Sequence, residues 1–224
     1  MTLLKTSTTL GLCGGLLVGA MAWGLAPPSS LAASVISARR DASAEAFVGQ
    51  QAQRALTILA DRRRGLKSKD EDFAELIDQV VDVPRITNFV LGKYARTITT
   101  DQRSRFAAAF RKYYQSAYEA RLDDYGGEQI SILGSTVRGP EDVVVSSVVR
   151  GGGLKQDLPV AWRVISSGST RKIVDVQVKG VWLSITQQQD FVSTLDNAHG
   201  DIELLIAQLL RDPHAQAKRL AHKS

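Results

Sequence analysis

The chain has 224 residues, with 28 Lys and Arg against 23 Asp and Glu, a formal net charge of +5 at pH 7. Cys13 is the only cysteine, which excludes a disulfide within the chain and a metal centre built on several thiolates. The mild basic excess suits anionic headgroups or an acidic partner surface, and equally suits ordinary solvated charge.

In chain order, the first segment reads as a secretory signal. Lys5 is its one charge, and residues 10–25 are rich in Leu, Gly, Ala and Val. Small residues at Ser30 and Ala32 fit a signal-peptidase site, so cleavage is expected after Ala32. The competing reading is an uncleaved anchor, but the run is Gly- and Thr-rich and ends in Pro27-Pro28. Residues 1–32 are therefore taken as signal peptide, 33–210 as one domain and 211–224 as a flexible basic tail. The domain contains no cysteine, hence no thiolate nucleophile.

Residues 42–64 read as a helix with Val48, Ala52, Ala55, Leu56 and Leu59 on one face. Arg62, Arg63 and Arg64 close it as C-terminal cations, a better reading than a nucleic-acid patch in an exported chain. Ser68 with Glu71 has capping-box spacing ahead of a second helix that carries Phe73, Leu76, Ile77, Val80 and Val81. Pro84 suits the first turn of a third helix, with Ile86, Phe89, Val90 and Tyr94 inward. Thr99 with Gln102 starts a longer fourth helix, in which Phe106, Phe110, Tyr113, Tyr114 and Ala117 recur every three or four residues.

After Gly126-Gly127 the period changes to two. Residues 129–133, 142–149, 157–166 and 171–179 read as strands, with turn signals at Gly139-Pro140, Gly151-Gly152-Gly153 and Ser167-Gly168-Ser169. The short links favour antiparallel hairpins. Leu158, Val160, Trp162 and Val164 share a face, and Val174, Val176 and Val178 alternate with Asp175, Gln177 and Lys179. Gly180 allows a bend, and Val181, Leu183 and Ile185 follow on the other parity. Thr186 and Gln189 have capping-box spacing for a helix over 187–197, and 201–210 forms a last helix with Ile202, Leu205, Ile206 and Leu209 aligned. Helices first and an antiparallel sheet of about four to five strands second, with C-terminal helices, make an α+β domain.

Little in the sequence suits bond-breaking. His199 neighbours Asp201 in a turn, His214 and His222 lie in the tail, and no glycine-elbow serine accompanies them. No histidines or carboxylates recur at metal-ligand spacing on one face. Asp123-Asp124 is read as a solvated helix end, and Gly151-Gly152-Gly153 lacks the Lys-Ser/Thr and the helix of a phosphate loop. No cofactor is expected. What remains is apolar volume.

The run ITNFVLGKYARTITTDQRSRFAAAFRKYYQSAYEARLDDYGGE and the later GVWLSITQQQDF carry a resemblance. LGKYAR, the TxxQR helix start, the Phe106, Phe110 and Tyr114 series and that ending are together similar to the MlaC/toluene-tolerance family of periplasmic phospholipid-binding proteins. The resemblance spans roughly residues 45 to 210. It implies a curved sheet covered by helices, like a nuclear-transport-factor cone, and a carrier rather than an enzyme. It also implies an inner-membrane ABC transporter with an MCE-domain subunit and an outer-membrane lipoprotein complex as partners, a phospholipid or, in one subgroup, a hopanoid as cargo, and a monomer that binds no nucleic acid. On that basis Phe89, Val90, Tyr94, Phe110, Tyr114, Val145, Trp162, Val164, Val176, Val178, Trp182 and Ile185 are expected to line one apolar cavity. Lys93 and Arg96 are candidates to meet a headgroup or a partner, although cations at a helix C-terminus need no such role.

Two other readings compete. A cone-shaped enzyme would need an acid on the inner sheet face, whereas the strand parity puts Asp157 and Asp175 on the polar outer face. A periplasmic adaptor that carries nothing would need only its surface.

Overall fold

The computed structural model describes residues 39–61, 63, 65–122 and 125–211, so the expected signal peptide and most of the expected tail lie outside the described residues. Six α-helices and five strands follow one another as α1 (Ala42–Ala60), α2 (Leu66–Val80), α3 (Val83–Val90), α4 (Thr100–Leu122), β1 (Gln129–Val137), β2 (Asp142–Arg150), β3 (Leu158–Ser167), β4 (Thr170–Val178), β5 (Val181–Trp182), α5 (Leu183–Asn197) and α6 (Ile202–Arg211). A 3-10 helix, Gly92–Arg96, joins α3 to α4. The strands form one antiparallel sheet in sequence order, as the short hairpin links require. The α+β reading holds.

Local chemistry starts most elements. Asp41 caps α1 by accepting from the amides of Ser43 and Ala44, both at 2.9 Å. Ser135 of β1 fastens that turn to the sheet, accepting from the Asp41 amide at 2.8 Å and donating to Glu45 at 2.7 Å. Asp82 caps α3 ahead of Pro84 by accepting from the Arg85 amide at 3.0 Å. Thr99 and Gln102 form the expected reciprocal box at α4, at 3.0 and 3.2 Å.

Two other expected boxes are not formed. The second helix begins at Leu66, upstream of Ser68, behind Gly65 with no side-chain cap. The helix expected from 187 begins at Leu183, directly off β5, so Thr186 is already inside it and its hydroxyl donates back to the Trp182 carbonyl at 3.4 Å. The cap there comes from a distance. Asp175 of β4 accepts from the Ser184 amide at 3.1 Å and also from the Ser184 hydroxyl. Asp175 does lie on the opposite parity from Trp162 and Val176, but it is buried beneath α5 rather than facing solvent. That corrects the polar-outer-face expectation for this residue. A bulge between Arg163 and Val164 leaves Val174 as the extra residue, so Val164 pairs with Ile173.

The apolar interior has two centres. Val143 and Val145 of β2, Val164 of β3 and Ile173 of β4 form one with Ala44 and Val48 of α1 and Leu76 and Val80 of α2. The other is helical: Val90 and Leu91, Phe106, Ala109, Phe110 and Tyr113 of α4, Phe191 and Leu195 of α5, and Ile202, Leu205, Ile206 and Leu209 of α6. α3 packs on β4 as well as on α4 and α5, and so lies between the two centres. Val81 bridges to Ile173, and the Asp82 amide donates to the Ile173 carbonyl at 2.9 Å. Lys172 ties β4 to the end of α2 by donating to the Gln79 carbonyl at 2.5 Å.

Candidate functional site

Eight of the twelve residues expected to line one cavity are divided between these centres. Val90 and Phe110 are buried in the helical centre, with Tyr94 and Tyr114 packed against it. Val145 and Val164 are buried in the sheet centre, with Trp162 and Val176 against it. Val178 and Trp182 are half-buried and belong to neither. Phe89 and Ile185 are 42 % and 44 % exposed, so they do not line an enclosed space in this conformation. Eight of the expected lining residues thus fall on two apolar walls. Strand parity brought Trp162, Val164 and Val176 together correctly; only tertiary packing decides that the α4 aromatics sit in a different centre.

The helical wall is an aromatic lattice. Phe106 stacks on Phe110 at 6.0 Å between centroids, and Phe191 meets both edge-on at 5.7 and 5.9 Å. Tyr114 meets Phe110 edge-on at 5.7 Å. Tyr113 donates its hydroxyl to Gln187 at 3.1 Å, and burial, with Asp190 adding, pushes its ionisation well above the ordinary tyrosine range. It stays neutral across all working pH. On the sheet wall the Trp162 indole donates to the Ser147 hydroxyl at 2.8 Å, which donates onward to the Val160 carbonyl at 3.0 Å. Both rings therefore keep their polar handles satisfied within the protein and present apolar surface. Sequence reasoning missed Gln187 and Ser147; the signal for Ser147 was a serine at the apolar parity of β2.

On α3 one group is left over. Thr87 of α3 is 2 % exposed, and its hydroxyl has no partner among the described residues. Such an orphan costs about 1–3 kcal/mol.

The two expected headgroup cations differ. Lys93 is already answered by Asp196 at 2.6 Å and lies 5.2 Å from the Tyr94 ring centroid, while Tyr94 donates to the same carboxylate at 2.5 Å. The Lys93 ammonium, then Tyr94, hold the Asp196 carboxyl below its ordinary value. Lys93 would have to break this pair to meet a headgroup. Arg96 is exposed and has no partner among the described residues.

A groove of about 560 Å³ runs between α1 and α2. Ile58 and Leu76 line it together with Gln50, Arg54, Asp72 and Glu75. None of the expected lining residues borders it. Among the described residues no group of three or more His, Cys, Asp or Glu could hold a metal ion, and no helix is long and apolar enough to cross a membrane.

The order of helices and the open antiparallel sheet have a solved counterpart. A phospholipid-binding protein from Ralstonia solanacearum, crystallised in complex with a phospholipid, is similar at a TM-score of 0.67 and 24 % identity, covering 78 % of this chain and 98 % of that one. At that identity the likeness shows a shared fold. The MlaC protein family matches residues 49–211, most of the chain, and the chain belongs to that family.

Proposed function

We propose that the chain is a periplasmic phospholipid carrier that shuttles lipid between an inner-membrane ABC transporter with an MCE-domain subunit and an outer-membrane lipoprotein complex, as a monomer and without covalent chemistry. The observation that carries this reading is family membership together with two apolar walls packed on either side of α3. A sixteen-carbon chain costs on the order of 10 kcal/mol to hold bare in water, at about 0.8 kcal/mol per methylene. A carrier needs only to replace that water with apolar side chains while the headgroup stays wet.

The walls available are the α4–α5 aromatics and the Val/Trp face of the sheet. Acyl chains would lodge between them when α3 moves away from β4. The unpartnered Thr87 hydroxyl supports a yielding contact between α3 and β4, because opening there lets it find water or a lipid ester oxygen.

Trp162 and Tyr114 stand on opposite walls, so Trp162→Glu and Tyr114→Glu should each abolish retention of co-purifying phospholipid. Retention unchanged in both variants would remove the walls from the account. Loss of folding in either is detected by its urea midpoint, and Trp162→Ala and Tyr114→Ala then serve as milder probes.

A further inference from the structure

Among the described residues, five of the eight large apolar side chains that remain exposed gather at one end of the sheet: Phe89, Leu154, Val181, Leu183 and Ile185, each between 40 % and 44 % exposed. Topology brings them together. The β2–β3 turn and the β4–β5 turn both lie at the end of the sheet where β2 and β4 finish, and neighbouring strands are roughly 5 Å apart. The Lys179 amide donates to the Pro159 carbonyl at 3.1 Å, holding the second turn against the start of β3. Leu154 belongs to the first turn, its amide donating to the Gly151 carbonyl at 3.1 Å. Val181, Leu183 and Ile185 follow the second turn into α5. Gln188, one helical turn beyond Ile185, donates to the Phe89 carbonyl at 2.6 Å, which places Phe89 beside them.

Two free cations flank this patch. Lys155 stands next to Leu154, and Lys179 next to Gly180 and Val181; both are exposed and unpaired among the described residues. Of the nearby carboxylates, Asp157 pairs with Arg150 at 2.7 Å, and Glu128, which keeps its charge, accepts from the Gly126 amide at 3.0 Å, leaving the two lysines in excess. Lys179 has φ +50 and Gly180 φ +87, a two-residue turn with both residues left-handed. Asn or Gly takes the first of those positions most readily. Here a lysine takes it, which sets a long cation at the tip.

We propose that this end of the molecule is a docking surface for an anionic lipid bilayer, in which the turn-borne aliphatics and Phe89 enter the headgroup boundary and Lys155 and Lys179 meet lipid phosphates. An aliphatic patch of this kind on a protein surface marks a contact site, and cations interleaved with aliphatics fit a negatively charged, partly apolar surface. The inference goes beyond the carrier reading and does not depend on it, since a chain that holds no lipid would dock by the same groups.

The test is co-sedimentation of the purified protein with phosphatidylglycerol–phosphatidylethanolamine vesicles and with phosphatidylcholine vesicles, across a salt series. Binding to the anionic vesicles is expected to weaken with salt. The Leu154→Asp, Val181→Asp double variant is expected to lose about tenfold or more in vesicle affinity, and Lys155→Gln, Lys179→Gln about tenfold or more. Wild type and variants share one N-terminus, so the difference between them isolates the patch. All four positions are exposed, and an unchanged urea midpoint verifies folding. Should the aspartate variant lose stability, Leu154→Ser, Val181→Ser takes its place. No binding to anionic vesicles, equal binding by wild type and both variants, or equal binding to neutral vesicles would each overturn the proposal. So would variants that lose cross-linking to a protein partner while keeping vesicle binding. Lipid retained in the purified protein, read by mass, reports on the carrier reading separately.

Discussion

At the residue scale, the polar groups inside the apolar walls divide into satisfied and unsatisfied. Trp162 and Tyr113 have partners in Ser147 and Gln187, and Asp175 is satisfied by Ser184. Thr87 has none among the described residues. Replacing it with the isosteric valine removes an orphan hydroxyl, so Thr87→Val should stabilise the empty chain by about 1 kcal/mol, read from the urea midpoint. A loss of stability would mean the hydroxyl is hydrogen-bonded after all. The Lys93–Asp196–Tyr94 cluster makes a different prediction. Lys93 first, then Tyr94, lowers the Asp196 carboxyl in the folded chain, and Arg105 likewise lowers Glu203. A carboxyl lowered by folding contributes stability above its unfolded value, and loses it as pH falls through the folded one. Stability should therefore hold from neutral pH down to the ordinary carboxylate range and decline below it, with a shallower decline in Asp196→Asn. Parallel acid profiles for the two chains would contradict the cluster's role.

At the element scale, joints matter more than helix propensity. Gly92 turns the chain from α3 into the 3-10 helix at φ +53, and a Cβ there would stand 2.9 Å from a Val192 methyl. Gly92→Ala should cost about 1–2 kcal/mol for the left-handed backbone, plus whatever Val192 must yield. A midpoint equal to wild type would show that the joint relaxes freely. The same scale explains what was legible in the sequence. The α4 box of Thr99 and Gln102 was readable because both partners lie within one turn. Ser68 with Glu71 and Thr186 with Gln189 have the same spacing, yet their helices start earlier, at Leu66 and Leu183. For α5 the deciding partner is Asp175, on another element, and no local pattern announces that. Strand parity found the sheet wall through Trp162, Val164 and Val176, but not the bulge that leaves Val174 as the extra residue and pairs Val164 with Ile173.

At the scale of the whole molecule, helical and strand periodicities gave the α+β order, whereas the division of the apolar residues into two centres came from how the elements pack. Phe89 and Ile185 show the difference best. Each satisfies an apolar pattern, each was expected inside, and both lie on the surface with Leu154 and Val181. The account predicts one molecule with two separable lipid contacts: walls that take acyl chains, and an end that meets a bilayer. Variants at Leu154 and Val181 should slow loading from vesicles while leaving lipid retention unaltered once loaded, and Trp162→Glu should do the reverse. Loading and retention falling together in both sets would mean a single site.

The most direct measurement is native mass spectrometry of the protein over residues 33–224, purified without detergent and followed by solvent extraction of whatever it carries. The carrier reading predicts a stoichiometric adduct that extracts as phospholipid and disappears in Trp162→Glu. A bare polypeptide mass that stays bare after incubation with phospholipid vesicles would contradict it and leave an adaptor that carries nothing.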